Sequence, residues 1–128
     1  LILAGVANGF DLKRYATSPT AQLKEEDYVV MITHTPDYTE DTDIAHTDLA
    51  LAGHTHGGQV TLLGWIVPET GSKYGRRFLT GLNHNTRGIP VITSNGLGTS
   101  RKNIRTGARS DVIVVTLKKA ETKKEERE

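Results

Sequence analysis

Three short apolar runs constrain this chain more than anything else in it. "LILAGV" (Leu1–Val6), "YVVMIT" (Tyr28–Thr33) and "DLALAG" (Asp48–Gly53) are each bounded by polar, turn-forming sequence. None alternates apolar with polar. A continuous apolar run this short, rich in branched side chains, is what a strand covered on both faces looks like. Such strands occur in α/β proteins, where neighbouring parallel strands bring their carboxyl ends to one edge of the sheet. The chain is 128 residues long, one domain's worth of sequence. Leu1 opens directly inside the first run, which leads us to expect a segment upstream of it.

Between the runs the sequence is punctuated. "ANGFDLKRYATSP" is polar and turn-rich. Ser18-Pro19 predicts a helix start, because serine caps well and proline is tolerated at the first helical position; a short helix is expected over Pro19–Glu26. Pro36 stops the second run, having no N–H to donate and biasing Thr35 away from helix. "YTEDTDIAHT" predicts one weak helical turn or more. After Gly58 the character changes. "QVTLLGWIVP", "RRFLTGLNHN", "IPVITSNG" and "DVIVVTLKK" end in Gly, Asn or Pro and read as further strands, joined antiparallel by turns. Strands are therefore expected near Gln59–Leu63, Phe78–Gly81, Val91–Thr93 and Val112–Leu117 as well as at the three runs. "GLGTSRKNIRTGARS" is a long loop carrying Arg101, Lys102, Arg105 and Arg109. Residues 1–118 form the domain; residues 119–128 are charged, without apolar periodicity, and read as a disordered tail.

Composition excludes more than it selects. A formal net charge of +1 gives no general reason to bind nucleic acid. The absence of cysteine rules out disulfides and thiolate metal sites. No apolar run approaches the roughly 20 residues of a membrane helix.

The chemistry concentrates in "GHTHGG", Gly53–Gly58. His54 directly follows the third run, and His34 directly follows the second. Strand ends are stiff, so both imidazoles are expected at the same sheet edge. His56 lies two residues beyond His54 in a glycine frame that permits unusual dihedrals. His34, His54 and His56 are the candidate metal ligands. His46 and His84 follow no buried strand and are read as ordinary surface histidines. Asp37 is a candidate partner for a histidine N–H. Asn95, Arg101 and Arg105, in and beside the basic loop, are candidate substrate-binding residues, since guanidinium groups suit phosphate.

In order along the chain, "MITHTPDY", "LALAGHTHGGQV", "KYGRRFLTGL" and "SNGLGTSRKNIR" resemble the C-terminal half of calcineurin-like metallophosphoesterases, the small bacterial YkuE-type phosphohydrolases above all. The resemblance implies an α/β fold, the β-rich half of a two-sheet sandwich with few short helices. It implies a phosphohydrolase with a pair of divalent metals such as Mn, Fe or Zn, with His34 and His54 on one ion and His56 on the other. It also shows what this sequence lacks. There is no Asp-x-His and no Gly-Asp, and its single Asn-His, Asn83-His84, follows Leu82 and comes after the histidine pair. The bridging carboxylate and the general acid are thus expected in a missing N-terminal half. The chain alone would hold one metal or none, be inactive, and associate with itself through exposed sheet surface. The alternatives are a self-contained module with His34, His54 and His56 as a mononuclear site, and a mononuclear zinc hydrolase of another class.

Overall fold

The computed structural model describes residues 1–6, 18–63 and 66–119. The three apolar runs are strands: β1 (Ile2–Gly5), β2 (Val29–Ile32) and β3 (Leu49–Ala52). Two more follow, β4 (Gly81–His84) and β5 (Pro90–Thr93). Together they make one five-stranded sheet in the order β1-β2-β3-β5-β4, parallel throughout except that β4 runs antiparallel to β5. Membership of a mixed α/β class is as the sequence implies. Among the described residues there is one sheet, and the second layer of a sandwich is not formed by them.

The register explains the core. Ala4, Met31, Ala50 and Val91 are partners across successive strands, so their side chains share one face. Against that face pack Tyr38, Ile44 and Phe78, all fully buried, with Tyr74 and Ile89 at the margin. Tyr38 comes from α1 (Tyr38–Asp41), one helical turn within "YTEDTDIAHT". The opposite face is different. Ile32, Leu51, Ile92 and Leu82 form its parallel row. There Ile32 is 47% exposed and Leu82 62%.

Four expectations fail, each for a local reason. Pro19–Glu26 is not a helix but a series of separate turns. Ser18 turns its hydroxyl onto Thr20 rather than capping a helix, and Asp27 closes onto the Lys24 N–H. A stretch this short cannot offset the cost of helix nucleation. Gln59–Leu63 forms only isolated bridges, Val60 with Thr106 and Gly107, and Leu62 with Ile66. Gln59 (φ 51°) and Leu63 (φ 56°) both leave the extended region. The strand expected at Phe78–Gly81 begins only at Gly81, because Phe78 and Leu79 sit in turns that drop both side chains into the core. Val112–Leu117 joins no ladder among the described residues, and Val112 is 71% and Val114 85% exposed. The polar stretch before Ser18 and the tail from residue 120 onward lie outside the described residues, and no described helix is long and apolar enough to cross a membrane.

Candidate metal and phosphate site

Because β2, β3 and β5 are parallel, their carboxyl ends fall on one edge. The backbone pairing continues past the strands themselves. Thr33 N–H donates to the Leu51 carbonyl (3.0 Å), Gly53 N–H to the His34 carbonyl (3.1 Å), and Ser94 N–H to the Ala52 carbonyl (2.9 Å). His34 and Gly53-His54 are thus locked side by side, with Ser94-Asn95 next in line.

The two imidazoles meet. His54 Nδ1 lies 3.0 Å from His34 Nε2, with the rings edge to face at 71°. One short N···N contact is what either a shared proton or a shared cation produces. Burial first, then the neighbouring His34, holds the His54 imidazole below the usual histidine range, with a smaller lowering effect from His56; the Asp37 charge and a backbone hydrogen bond with Gly71 act the other way. A neutral imidazole is the form that binds metal.

The glycine frame is built around Thr55. Its buried hydroxyl donates to the Leu79 carbonyl (2.7 Å), its carbonyl accepts from Gly58 N–H (2.8 Å), and its N–H donates to Gly53 (2.8 Å). This pinch holds both histidines at positive φ, His54 at 71° and His56 at 52°. Left-handed backbone in residues with a Cβ is costly, and it clusters where a side chain has to be aimed. Gly57 is favoured at its position: at φ +62°, an added Cβ would be strained and would stand 2.8 Å from Asn95 Oδ1, so that side chain would have to shift.

His56 takes a different partner. The Arg105 guanidinium reaches its Nδ1 (3.3 Å) and its carbonyl (3.4 Å), and also the carbonyls of Asn95 (3.1 Å) and Gly98. A guanidinium only donates, so His56 Nδ1 accepts and the neutral ring carries its proton on Nε2. Among the described residues no group of three or more His, Asp or Glu is placed to hold one metal ion. The donor chemistry of His34 and His54 fits two corners of a divalent-ion site. That of His56, as it stands, fits a hydrogen-bond donor rather than a ligand.

The other sequence candidates are placed as follows. Asp37 accepts from the Ser72 hydroxyl and the Lys73 N–H (2.9 Å), so its carboxylate braces the segment that carries Gly71. Asn95 donates to the Arg109 carbonyl (2.9 Å) and leaves a buried Oδ1 without a partner. Arg101 pairs with Glu69 (3.0 Å) on the surface. His46 and His84 are both exposed. A cavity of about 420 Å³ opens beside His54 and His56, with Gln59, Ser100, Arg101 and Lys102 around it. Sequence reasoning passed over Gln59, whose place directly after the glycines was the one available signal. It also passed over Asp111, which gathers Ser94 Oγ (2.6 Å) and the N–H groups of Asn95 (2.9 Å) and Gly96 (3.2 Å) at the end of β5.

Among known proteins, the chain is 32% identical over 125 residues to an uncharacterized metallophosphoesterase of Aquifex aeolicus, covering 92% of this chain and 46% of that protein. It is 32% identical over 118 residues to the uncharacterized metallophosphoesterase YkoQ of Bacillus subtilis (85% and 42%). To the uncharacterized metallophosphoesterase YkuE of the same organism it is 31% identical over 98 residues (77% and 34%). The chain therefore spans less than half the length of these relatives. No family model matches it. No solved structure matches it significantly.

Proposed function

The chain is a relative of the metallophosphoesterases, and from that premise we propose that it supplies the histidine side of a metal-dependent centre for hydrolysing phosphate esters. The observation that carries this reading is the 3.0 Å approach of His54 Nδ1 to His34 Nε2 at the carboxyl ends of two parallel strands. His34 and His54 would hold one divalent ion, which when bound polarises a phosphoryl oxygen. His56, its Nδ1 taken by Arg105, keeps a proton on Nε2 and offers it to an oxygen gathering negative charge. It would join a second ion only by giving up Arg105. The hydrogen bonds of Thr55 and the left-handed backbone around it hold the histidines' aim.

The carboxylates of a two-metal centre come, in this reading, from outside these 128 residues, whose sequence has neither Asp-x-His nor Gly-Asp. Imidazoles are neutral and cannot offset the repulsion of two divalent ions about 3.5–4 Å apart. The test is hydrolysis of a chromogenic phosphodiester with manganese or zinc. The expected result is background turnover by this chain and clear turnover once a segment corresponding to the unmatched part of its relatives is supplied. Robust metal-dependent hydrolysis by the 128 residues alone, or none in the completed assembly, would overturn the reading.

A further inference from the structure

The cavity beside the histidines has walls of two kinds. His54 and His56 and the turn Ser100-Arg101-Lys102 supply polar lining, and Val60 and Pro68 supply apolar surface. At about 420 Å³ it lies within the range of small-molecule pockets, about 300–1,000 Å³, and holds more than one phosphoryl group needs. Its charges do not cancel. The Arg101 guanidinium is spent on Glu69, which also lines the cavity. Lys102 forms no ion pair among the described residues.

Besides the Arg101–Glu69 pair, the Gln59 side chain holds the turn in place. Gln59 Nε2 donates to the carbonyls of Ser100 (2.9 Å) and Lys102 (3.1 Å), and Gln59 Oε1 accepts from Ser100 N–H (2.6 Å). The Gln59 carbonyl accepts from Thr106 N–H (2.9 Å). Both sides of this bracket sit in the left-handed region without being glycine, Gln59 at φ 51° and Arg101 at φ 61°. Strained backbone persists where surrounding contacts over-determine it, and here they do so at the rim of a cavity.

We propose that this cavity takes the leaving-group side of a phosphate ester that carries a second anionic group. Lys102 is its charge partner, and Gln59 is the positioning residue that fixes the Ser100–Lys102 turn in the cavity that His54 and His56 also line. The substrate class rests on the phosphoester reading above; the pocket itself is tested without any hydrolysis. Inorganic pyrophosphate and orthophosphate are titrated into the chain in EDTA, followed by calorimetry and amide shifts. Pyrophosphate is expected to bind about tenfold tighter than orthophosphate, with shifts at Val60, Ser100 and Lys102. Lys102→Ala, on an exposed side chain that the fold does not use, is expected to erase that preference, and Lys102→Arg to restore it. Gln59→Leu is expected to weaken pyrophosphate while orthophosphate is unchanged. Equal affinity for the two anions, or a preference that survives Lys102→Ala, would overturn the pocket; a preference untouched by Gln59→Leu would overturn the role of Gln59. A failed hydrolysis assay with the preference intact would count against the phosphoester reading alone.

Discussion

His34 and His54, 20 residues apart in sequence, face each other across 3.0 Å at the ends of adjacent parallel strands. The Gly53 N–H to His34 carbonyl bond at 3.1 Å fixes the backbones beneath them. The approach of the two rings is therefore built on the pairing of the sheet.

If these rings share a cation, losing either should cost most of the affinity. His34→Ala and His54→Ala are each expected to weaken zinc binding by about tenfold or more, measured by calorimetry. The exposed His84 is the control, and His84→Ala should leave binding unchanged. Equal effects from all three would sink the pairing.

The His54 ring is held below its usual range by burial first and His34 second. The unfolded chain takes up the His54 proton near pH 6.5, and the folded chain only at lower pH. Between those values the unfolded state binds more protons. The stabilisation is thus fully present above about pH 6.5 and is lost as pH falls through the depressed folded value. In metal-free buffer, the His54 ring signals should titrate at lower pH than those of a free imidazole. A higher midpoint would contradict the packing described here.

Glycine is required unequally along the loops. At Gly107 (φ +70°) an added Cβ would stand 2.6 Å from the Thr61 carbonyl, where the basic loop bridges to Val60. Gly107→Ala should cost about 2–3 kcal/mol by urea denaturation, combining left-handed strain and overlap. Gly75 has a similar φ (+63°) but open space around it. Gly75→Ala should cost only about 1 kcal/mol. Equal losses would mean that the close approach at Thr61 does not matter.

Phe78 is fully buried among Tyr74 and the Met31 face of the sheet although it lies in no strand. Phe78→Ala should destabilise the fold by about 3–5 kcal/mol. A loss below 1 kcal/mol would show that the turn, rather than the core, holds Leu79 and Thr55 in place.

On the second face of the sheet Ile32 and Leu82 leave apolar side chains exposed. Exposed apolar patches favour association. Light scattering is expected to give more than one chain mass at high concentration, and Ile32→Lys should lower it. A strict monomer throughout would refute this.

The positions of β1, β2 and β3 were legible in the sequence, because a short apolar run bounded by turn-forming residues favours extended backbone. The sequence also singled out His34, His54 and His56, because a strand end is the one place in a run where a polar ring escapes burial. It did not determine what lies between the strands. Phe78 and Val112–Leu117 have the same composition as true strands, yet a strand also needs a neighbour in register, and only the tertiary structure decides who has one. The histidines divide for the same reason. His34 and His54 are paired by the ladder between β2 and β3, whereas His56, itself in left-handed backbone (φ 52°), meets Arg105 from a loop 49 residues away. Local sequence records which side chains are chemically able to bind; long-range backbone pairing decides which of them stand within reach of one another.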